Sequence, residues 1–374
     1  MQYKILQLGK FYPLIGGIEK VEFSLLKGLS SRGIRCDMLC ANLDGKDKVI
    51  KINDNANLIL CNSLTKIFAT VISPSMVIKL RKICKEYDII HIHHPDPMAC
   101  LALYLSGYKG KVVLHWHSDI IKQKRLLKLF KPLQKWLIKR ADIIVGTSPI
   151  YIKESPFLTK VQNKITSIPI AVGDMNCNLD EVNIIKNKYP NKKIIFSLGR
   201  LVEYKGFEYL IEAAKKLGDD YVVLIGGSGP LKEKLNRLIK AYNLEENVKL
   251  IGYIKDKDVP NFFCACDIFC FPSIYKTEAF GLVQIESMLF GKPIVATRIP
   301  GSGVSWVNKH GVSGLNVPIC NSDELANAIL YIMSNNDTYM KFSKNARKRY
   351  YELFTMDMMI DNNINVYEEI LKTA

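Results

Sequence analysis

Two series of short apolar runs, each run followed by an amphipathic stretch, divide this chain of 374 residues. The first series predicts strands at 3–9, 35–41, 57–61, 88–93, 111–116 and 142–146. A helix at 19–32 aligns Val21, Leu25, Leu26 and Leu29 on one face. The second series predicts strands at 193–198, 221–226, 248–252, 267–271 and 293–296. Its helices fall at 206–217, 230–242, 258–265, 283–290, 322–334 and 338–352. Such alternation is the pattern of α/β proteins whose parallel sheets are covered on both faces, and two series imply two Rossmann-like, doubly wound domains. The polar stretch 173–192 reads as a hinge between domains at 1–172 and 193–354. The amphipathic segment 355–374 need not belong to the domain before it, and is free to cross back to the first.

Charge separates the halves further. Residues 1–190 hold 29 Lys and Arg against 15 Asp and Glu, whereas 191–374 hold 23 against 21. This points to a polyanion, nucleic acid or an anionic membrane, as partner of the first half. Apolar residues at 48% supply a core and exclude disorder. Of ten cysteines, Cys36, Cys40, Cys264, Cys266 and Cys270 sit in apolar runs, and no Cys-x-x-Cys occurs, so reduced thiols are expected. The N-terminus reads as a strand rather than a signal peptide, and no apolar run approaches the length of a membrane span. A cytosolic location is expected.

Doubly wound domains bind ligands beyond the carboxyl ends of their strands, so glycine and charge at those loops carry the functional reading. Gly16-Gly17 lie between the first strand and helix, where backbone N–H groups can meet an anion. Gly199-Arg200 through Lys205-Gly206 place two cations ahead of a helix, an arrangement suited to a diphosphate leaving group. Gly226-Gly227-Ser228-Gly229-Pro230 form a third, less specific loop. The richest stretch runs from Phe271 to Met288, with Glu278 on a loop and Glu286 on the helix after it. Phe280-Gly281-Leu282-Val283 open that helix between the two carboxylates. Carboxylates on either side of a phosphate-binding helix start match a nucleotide sugar: ribose diol, diphosphate, hexose hydroxyls.

Taken in order, these motifs resemble those of the family 4 retaining glycosyltransferases of GT-B fold, over essentially the whole length. The likeness implies two domains facing a cleft and a role for each matching residue. Glu286 would bind the ribose hydroxyls and Glu278 the donor sugar. Arg200 and Lys205 would neutralise the diphosphate with the N–H groups of Gly281, Leu282 and Val283. Gly16, Gly17, Gly199, Gly227, Gly229 and Phe280 would shape the donor site. His117 resembles the family's active-site histidine. His115 competes with it, strand alternation favours the later residue, and Asp119 is expected to orient it. No side chain is an obvious nucleophile, so a front-face route with retention is implied.

Asp256-Lys257-Asp258 precedes a helix and reads as capping rather than metal binding. His91-Ile92-His93-His94-Pro95 ends a strand, and lining the cleft is preferred to coordination. Cations and helix N-termini already answer the diphosphate charge, so no cofactor or metal is expected. Residues 122–140 carry eight cations and no anion, among them Lys122, Lys124, Arg125 and Lys128, while Leu126, Phe130, Leu133 and Leu137 share a helical face. The apolar face is expected to pack inward and the cations to meet anionic lipid; the segment 63–83 is a second candidate for a lipid-linked acceptor. The expected partners are a nucleotide-sugar donor, a lipid-linked acceptor of undecaprenyl-diphosphate type and the membrane surface, with no nucleic acid. The expected activity is hexose transfer in bacterial O-antigen or capsule assembly, with a lean toward GDP-mannose. UDP-linked sugars stay open, and the runner-up is a sugar-nucleotide epimerase or phosphorylase of the same fold.

Overall fold

The apolar runs become parallel strands, which gather into two large sheets in a computed structural model that describes residues 3–13, 16–67, 70–120 and 124–372. The chain divides into two units, Met1–Ile170 with Met356–Ala374, and Ala171–Thr355. The first unit opens with β1 (Lys4–Tyr12), α1 (Gly17–Ser31), β2 (Arg35–Asn42), β3 (Lys48–Asn53), β4 (Ala56–Asn62), β5 (Thr65–Ile67) and β6 (Thr70–Ile72). It continues with α2 (Pro74–Ile83), β7 (Ile89–His94), α3 (Pro97–Ser106), β8 (Lys111–Trp116), α4 (Lys124–Arg140), β9 (Ile143–Gly146), α5 (Pro149–Lys153) and β10 (Ile165–Ser167). Its main sheet has the order β10-β9-β8-β7-β1-β2-β4-β3, and only β3 runs antiparallel to its neighbour. Strand order reverses between β1 and β7. That reversal opens a crevice at the carboxyl ends, where open α/β sheets bind ligands.

The second unit comprises α6 (Leu179–Asn187), β11 (Lys193–Leu198), α7 (Phe207–Ala214), β12 (Tyr221–Gly226), α8 (Lys232–Ala241), β13 (Val248–Gly252) and α9 (Val259–Ala265). There follow β14 (Ile268–Phe271), α10 (Leu282–Leu289), β15 (Ile294–Arg298), α11 (Val304–Val307), β16 (Gly314–Pro318), α12 (Ser322–Ile332) and α13 (Asn336–Leu353). The sheet order is β13-β12-β11-β14-β15-β16, with every pair parallel and the reversal between β11 and β14. Every residue of β12 and β14 is buried, so these strands are continuous apolar runs without alternation. Phe196 of β11, Phe263 of α9 and Phe269 of β14 pack edge to face on one another.

The last helix, α14 (Met356–Lys372), belongs to the first unit. Arg32 at the end of α1 bonds Asp357 (2.6 Å) and Asp361 (3.1 Å) on α14, and Tyr367 bonds His91 Nδ1 of β7 at 2.6 Å.

Three local expectations change. The stretch 173–192 is not irregular throughout, because Asn178 accepts from the N–H groups of Asp180 and Glu181 and starts α6, which buries Val182 and Ile185. Strand β1 runs on to Tyr12, taking Lys10 and Phe11 out of the expected loop, with a register break between Leu8 and Phe11. Strands β3, β5, β6, β10 and β16 lie outside the predicted runs; the polar, partly exposed sequence of β3 suits an antiparallel edge.

Candidate active site

In the second unit the loops after β11 and β14 flank the reversal of strand order, and they hold most of the expected donor residues. A short 3-10 turn, Glu203–Lys205, carries Lys205 to the loop after β14, where its ammonium meets Glu278 Oε2 at 2.5 Å. Tyr204 and Phe271 lie 5.5 and 4.9 Å from the Lys205 ammonium, so the cation rests against two aromatic rings. Ser273 Oγ donates to the same carboxylate oxygen at 3.3 Å, and Ser302 Oγ donates to the Glu278 carbonyl at 2.5 Å. Glu278 is thus fixed at side chain and backbone. Arg200 is exposed and bonds the Tyr204 hydroxyl at 3.3 Å.

Two glycines here have conformational duties. Gly281 caps α10 with φ +82°, turning the chain so that the first-turn N–H groups of Leu282 and Val283 stand at the helix start. Gly227 has φ +135°, and a Cβ there would lie 1.8 Å from the carbonyl oxygen of Gly199. The two glycine loops therefore pack backbone against backbone, with Gly199 N–H bonded to Gly226 and Leu201 N–H to Ser228. Gly229 sits against Leu201 in the same contact. Glu286, partly buried, lies one turn into α10 on the face of Leu282. Phe280 points inward, 4% exposed, in an aromatic cluster with Trp306 and Phe354, so its side chain anchors the loop from below.

In the first unit, Gly16 caps α1 and Gly17 begins it. Lys10 pairs with Glu19 at 3.6 Å, and its N–H donates to Glu22 Oε2 at 3.1 Å. Burial pushes the Glu22 carboxyl well above its ordinary range, and burial likewise pushes Asp96 up to about 6. Glu22 Oε1, Asp96 Oδ2 and His117 Nδ1 are buried with no hydrogen-bond partner. His117 follows β8 and is 4% exposed; His93 Nδ1 holds its Nε2 at 2.9 Å. Asp119, expected to orient it, accepts instead from Trp116 Nε1 (2.9 Å) and Ser155 Oγ (2.7 Å). Alternation does not separate His115 from His117, because residues two apart on one strand share a face. Burial holds His91, His93 and His117 well below the ordinary imidazole value, and His94 and His115 at about 3.

The family assignment comes from the whole chain. Residues 15–172 match the family described as Glycosyltransferase Family 4, and 180–349 match Glycosyl transferases group 1. The O-antigen chain mannosyltransferase C of Escherichia coli is 32% identical over 97% of both chains. This chain belongs to the family 4 glycosyltransferases. The D-rhamnosyltransferase WbpZ of Pseudomonas aeruginosa is 30% identical over 94% of this glycosyltransferase and 92% of its own length. Among solved structures, sucrose-phosphate synthase from Thermosynechococcus elongatus superposes with a TM-score of 0.80 at 20% identity, covering 99% and 100% of the two chains. The fold is GT-B, with two Rossmann-like sheets.

The basic segment of this glycosyltransferase is the helix α4. Lys122 falls outside the described residues, and Lys124 and Arg125 belong to the first turn. Phe130, Gln134, Leu137 and Ile138 are buried, whereas Lys128, Lys131, Lys135 and Lys139 are exposed beside Leu129 at 81%. Arg140 is not part of the solvated row, for its guanidinium bonds Asp142 and the carbonyls of Tyr108 and Gly110. No described helix is long and apolar enough to cross a membrane. Asp258 occupies the expected cap position of α9 without a side-chain capping bond. All ten cysteines are unpaired thiols.

Nothing local in the sequence singles out Lys10, Glu19, Glu22, Asp96 and Gln7. The buried acids resemble ordinary helix and loop carboxylates in sequence, and only their burial marks them.

Proposed function

We propose that this glycosyltransferase moves a hexose, with retention, from a nucleotide sugar to a lipid-linked oligosaccharide of undecaprenyl-diphosphate type in bacterial cell-surface polysaccharide assembly. GDP-mannose is the first choice of donor. The observation that carries the reading is the Lys205–Glu278 pair beside the α10 N-terminus, at the reversal of strand order. An ammonium has three donors, so Lys205 can keep its bond to Glu278 while turning another toward a β-phosphate. Leu282 and Val283 would add backbone N–H groups, Arg200 a second cation and Glu286 an acceptor for the ribose hydroxyls. Glu278 would accept from hexose hydroxyls, and His117 would contact the same sugar. Departure of the charged diphosphate is then eased electrostatically; as its bond to the anomeric carbon breaks, the acceptor hydroxyl attacks from the face it leaves and passes its proton to the departing diphosphate oxygen.

Fixed cations and N–H groups answer the phosphate charge without a metal. The likeness to O-antigen mannosyl- and rhamnosyltransferases supports the donor and the lipid-linked glycan. The exposed lysines of α4 support a working position on the anionic inner face of the plasma membrane.

The test is transfer and hydrolysis with a panel of GDP-, UDP- and dTDP-sugars in the presence of EDTA, followed by NMR of the product's anomeric carbon. Turnover of GDP-mannose to an α-linked product is expected. Use of UDP-sugars alone overturns the donor, loss of activity with EDTA overturns metal independence, and an inverted linkage overturns retention.

A further inference from the structure

Strands β7 and β8 bring four histidines into one buried block. His93 lies opposite His115, and the alternation of each strand puts His91, His93, His115 and His117 on one face of the sheet. His91 Nε2 meets His115 Nδ1 at 3.3 Å, and His93 Nδ1 meets His117 Nε2 at 2.9 Å. The pairs stack, with His91 and His93 centroids 4.7 Å apart and those of His115 and His117 4.2 Å apart. Ring nitrogens of His91, His93 and His115 lie within 4.8 Å of one another, a separation that raises the question of a metal. Near-parallel rings, with interplanar angles of 12 to 29°, do not aim in-plane lone pairs at one point. Each close N···N contact instead needs one shared proton.

The direction of that proton in the His93–His117 pair follows from a helix backbone. Gln7, fully buried on β1, satisfies its neighbours in one orientation of its amide. With the amide oxygen on His93 Nε2, the nitrogen finds only the Cys36 sulfur at 3.4 Å. Turned over, the oxygen accepts from Leu26 N–H at 3.1 Å and the nitrogen donates to the Glu22 carbonyl at 3.3 Å and to His93 Nε2 at 3.0 Å, and this orientation is the one that pairs donors with acceptors. A backbone N–H can only donate and a carbonyl can only accept, so α1 sets the amide whatever the histidines do. His93 Nε2 is then an acceptor, and a neutral His93 carries its hydrogen on Nδ1. That hydrogen goes to His117 Nε2, which leaves His117 with its own hydrogen on Nδ1, the buried nitrogen that lacks a partner.

We propose that Gln7 and His93 are positioning residues that lock His117 as the Nδ1–H tautomer, so that it presents a hydrogen-bond donor to an oxygen of the donor sugar. This rests on the reading of His117 as a sugar-contacting residue. A locked donor accepts no proton from a substrate hydroxyl; it recognises the oxygen's lone pair and leaves the hydroxyl's hydrogen for another acceptor. The relay thereby makes His117 a recognition group rather than a general base.

The test uses the full chain labelled with 15N-histidine and a two-bond 1H–15N correlation spectrum, which distinguishes protonated from bare ring nitrogens. His117 is assigned by the signals lost in His117→Asn. The wild-type spectrum should show protonated Nδ1 and bare Nε2. His93→Phe keeps a ring but removes the donor, and should shift His117 toward Nε2–H. His93→Gln, whose amide can donate to Nε2, should keep the wild-type pattern. Gln7→Met, which leaves His93 in place, should release the tautomer of His93 and with it that of His117. With a turned-over donor, kcat/KM should fall about tenfold in His93→Phe and recover in His93→Gln, the size expected for one neutral hydrogen bond. Wild-type His117 as the Nε2–H tautomer, or an unchanged His117 pattern in His93→Phe and Gln7→Met, overturns the relay. The spectrum is recorded without substrate, so inactivity toward every nucleotide sugar would refute the proposed function and leave the tautomer result standing.

Discussion

Lys205 and Glu278, 73 positions apart in sequence, meet at 2.5 Å with their side chains 12% and 14% exposed. The pair exists because β11 and β14 are neighbours in the sheet, which sets the loops that follow them side by side. Its members were expected to serve different parts of the substrate, the cation the diphosphate and the carboxylate the sugar. Joined, they form one polar unit beside the start of α10.

A joined pair should respond as a unit. Lys205→Met and Glu278→Gln should each lower kcat by about 100-fold or more. The double variant should lose much less than the product of the two, because the second substitution removes a group already isolated. Steady-state kinetics on the three variants decide the matter, and multiplicative losses would show two independent residues.

The proposed function gives Glu286 to the nucleotide rather than to the sugar. Glu286→Ala should weaken binding of free GDP by roughly 10- to 100-fold, the range for a lost charge-assisted hydrogen bond. Calorimetric titration with GDP measures this without any acceptor. An unchanged Kd removes the ribose role.

Acid should destabilise the fold. His94 and His115 sit at about 3, and His91, His93 and His117 also lie well below the ordinary 6.5. A depressed folded-state value contributes stability above the unfolded value, lost as pH falls toward the folded one. Each of His94 and His115 should therefore cost roughly 2 kcal/mol on going from about pH 6.5 to about pH 5. Asp96, raised to about 6, and Glu22 act in the opposite sense, their contribution being lost as pH rises through the folded value. Five imidazoles against two carboxyls give a net loss on acidification. Urea midpoints at about pH 7 and about pH 5 test the sign, and a midpoint that rises in acid contradicts it.

Exposed cations on α4 should drive lipid binding. Replacing Lys128, Lys131 and Lys135 with Gln should weaken flotation on anionic vesicles by about 100-fold, at about 1 kcal/mol per cation. Wild-type binding should fall as salt rises. Salt-insensitive binding, or a triple variant that floats normally, would assign the lysines to solubility alone.

The central strands were legible because their apolar runs are buried on both faces, as in β12 and β14, whereas short or edge strands such as β3, β10 and β16 carry no such run. The loops after β11 and β14 were legible because glycine and charge concentrate at their strand ends. Helix α6 escaped notice because its signal is one Asn cap and two buried apolar residues in a polar stretch. The histidine block depends on cross-strand register, which no local pattern contains. Its trace in sequence is a pair of His-x-His spacings, His91/His93 and His115/His117, whose meaning appears only when His93 lies beside His115. Asp119 does not orient His117 because its carboxylate is taken by Trp116 Nε1, three residues back on the chain, and by Ser155 Oγ from a different segment.

The return of α14 gives the two units different histories during synthesis. Residues 171–355 form their unit from one uninterrupted segment, whereas the first unit is closed by an element that leaves the ribosome only after all of them. Until then Arg32 lacks Asp357 and Asp361, and His91 lacks Tyr367. The half of the molecule that is made first is thus the half that is finished last, and a chain cut short near residue 355 would carry a complete second unit beside a first one left open at its histidine block.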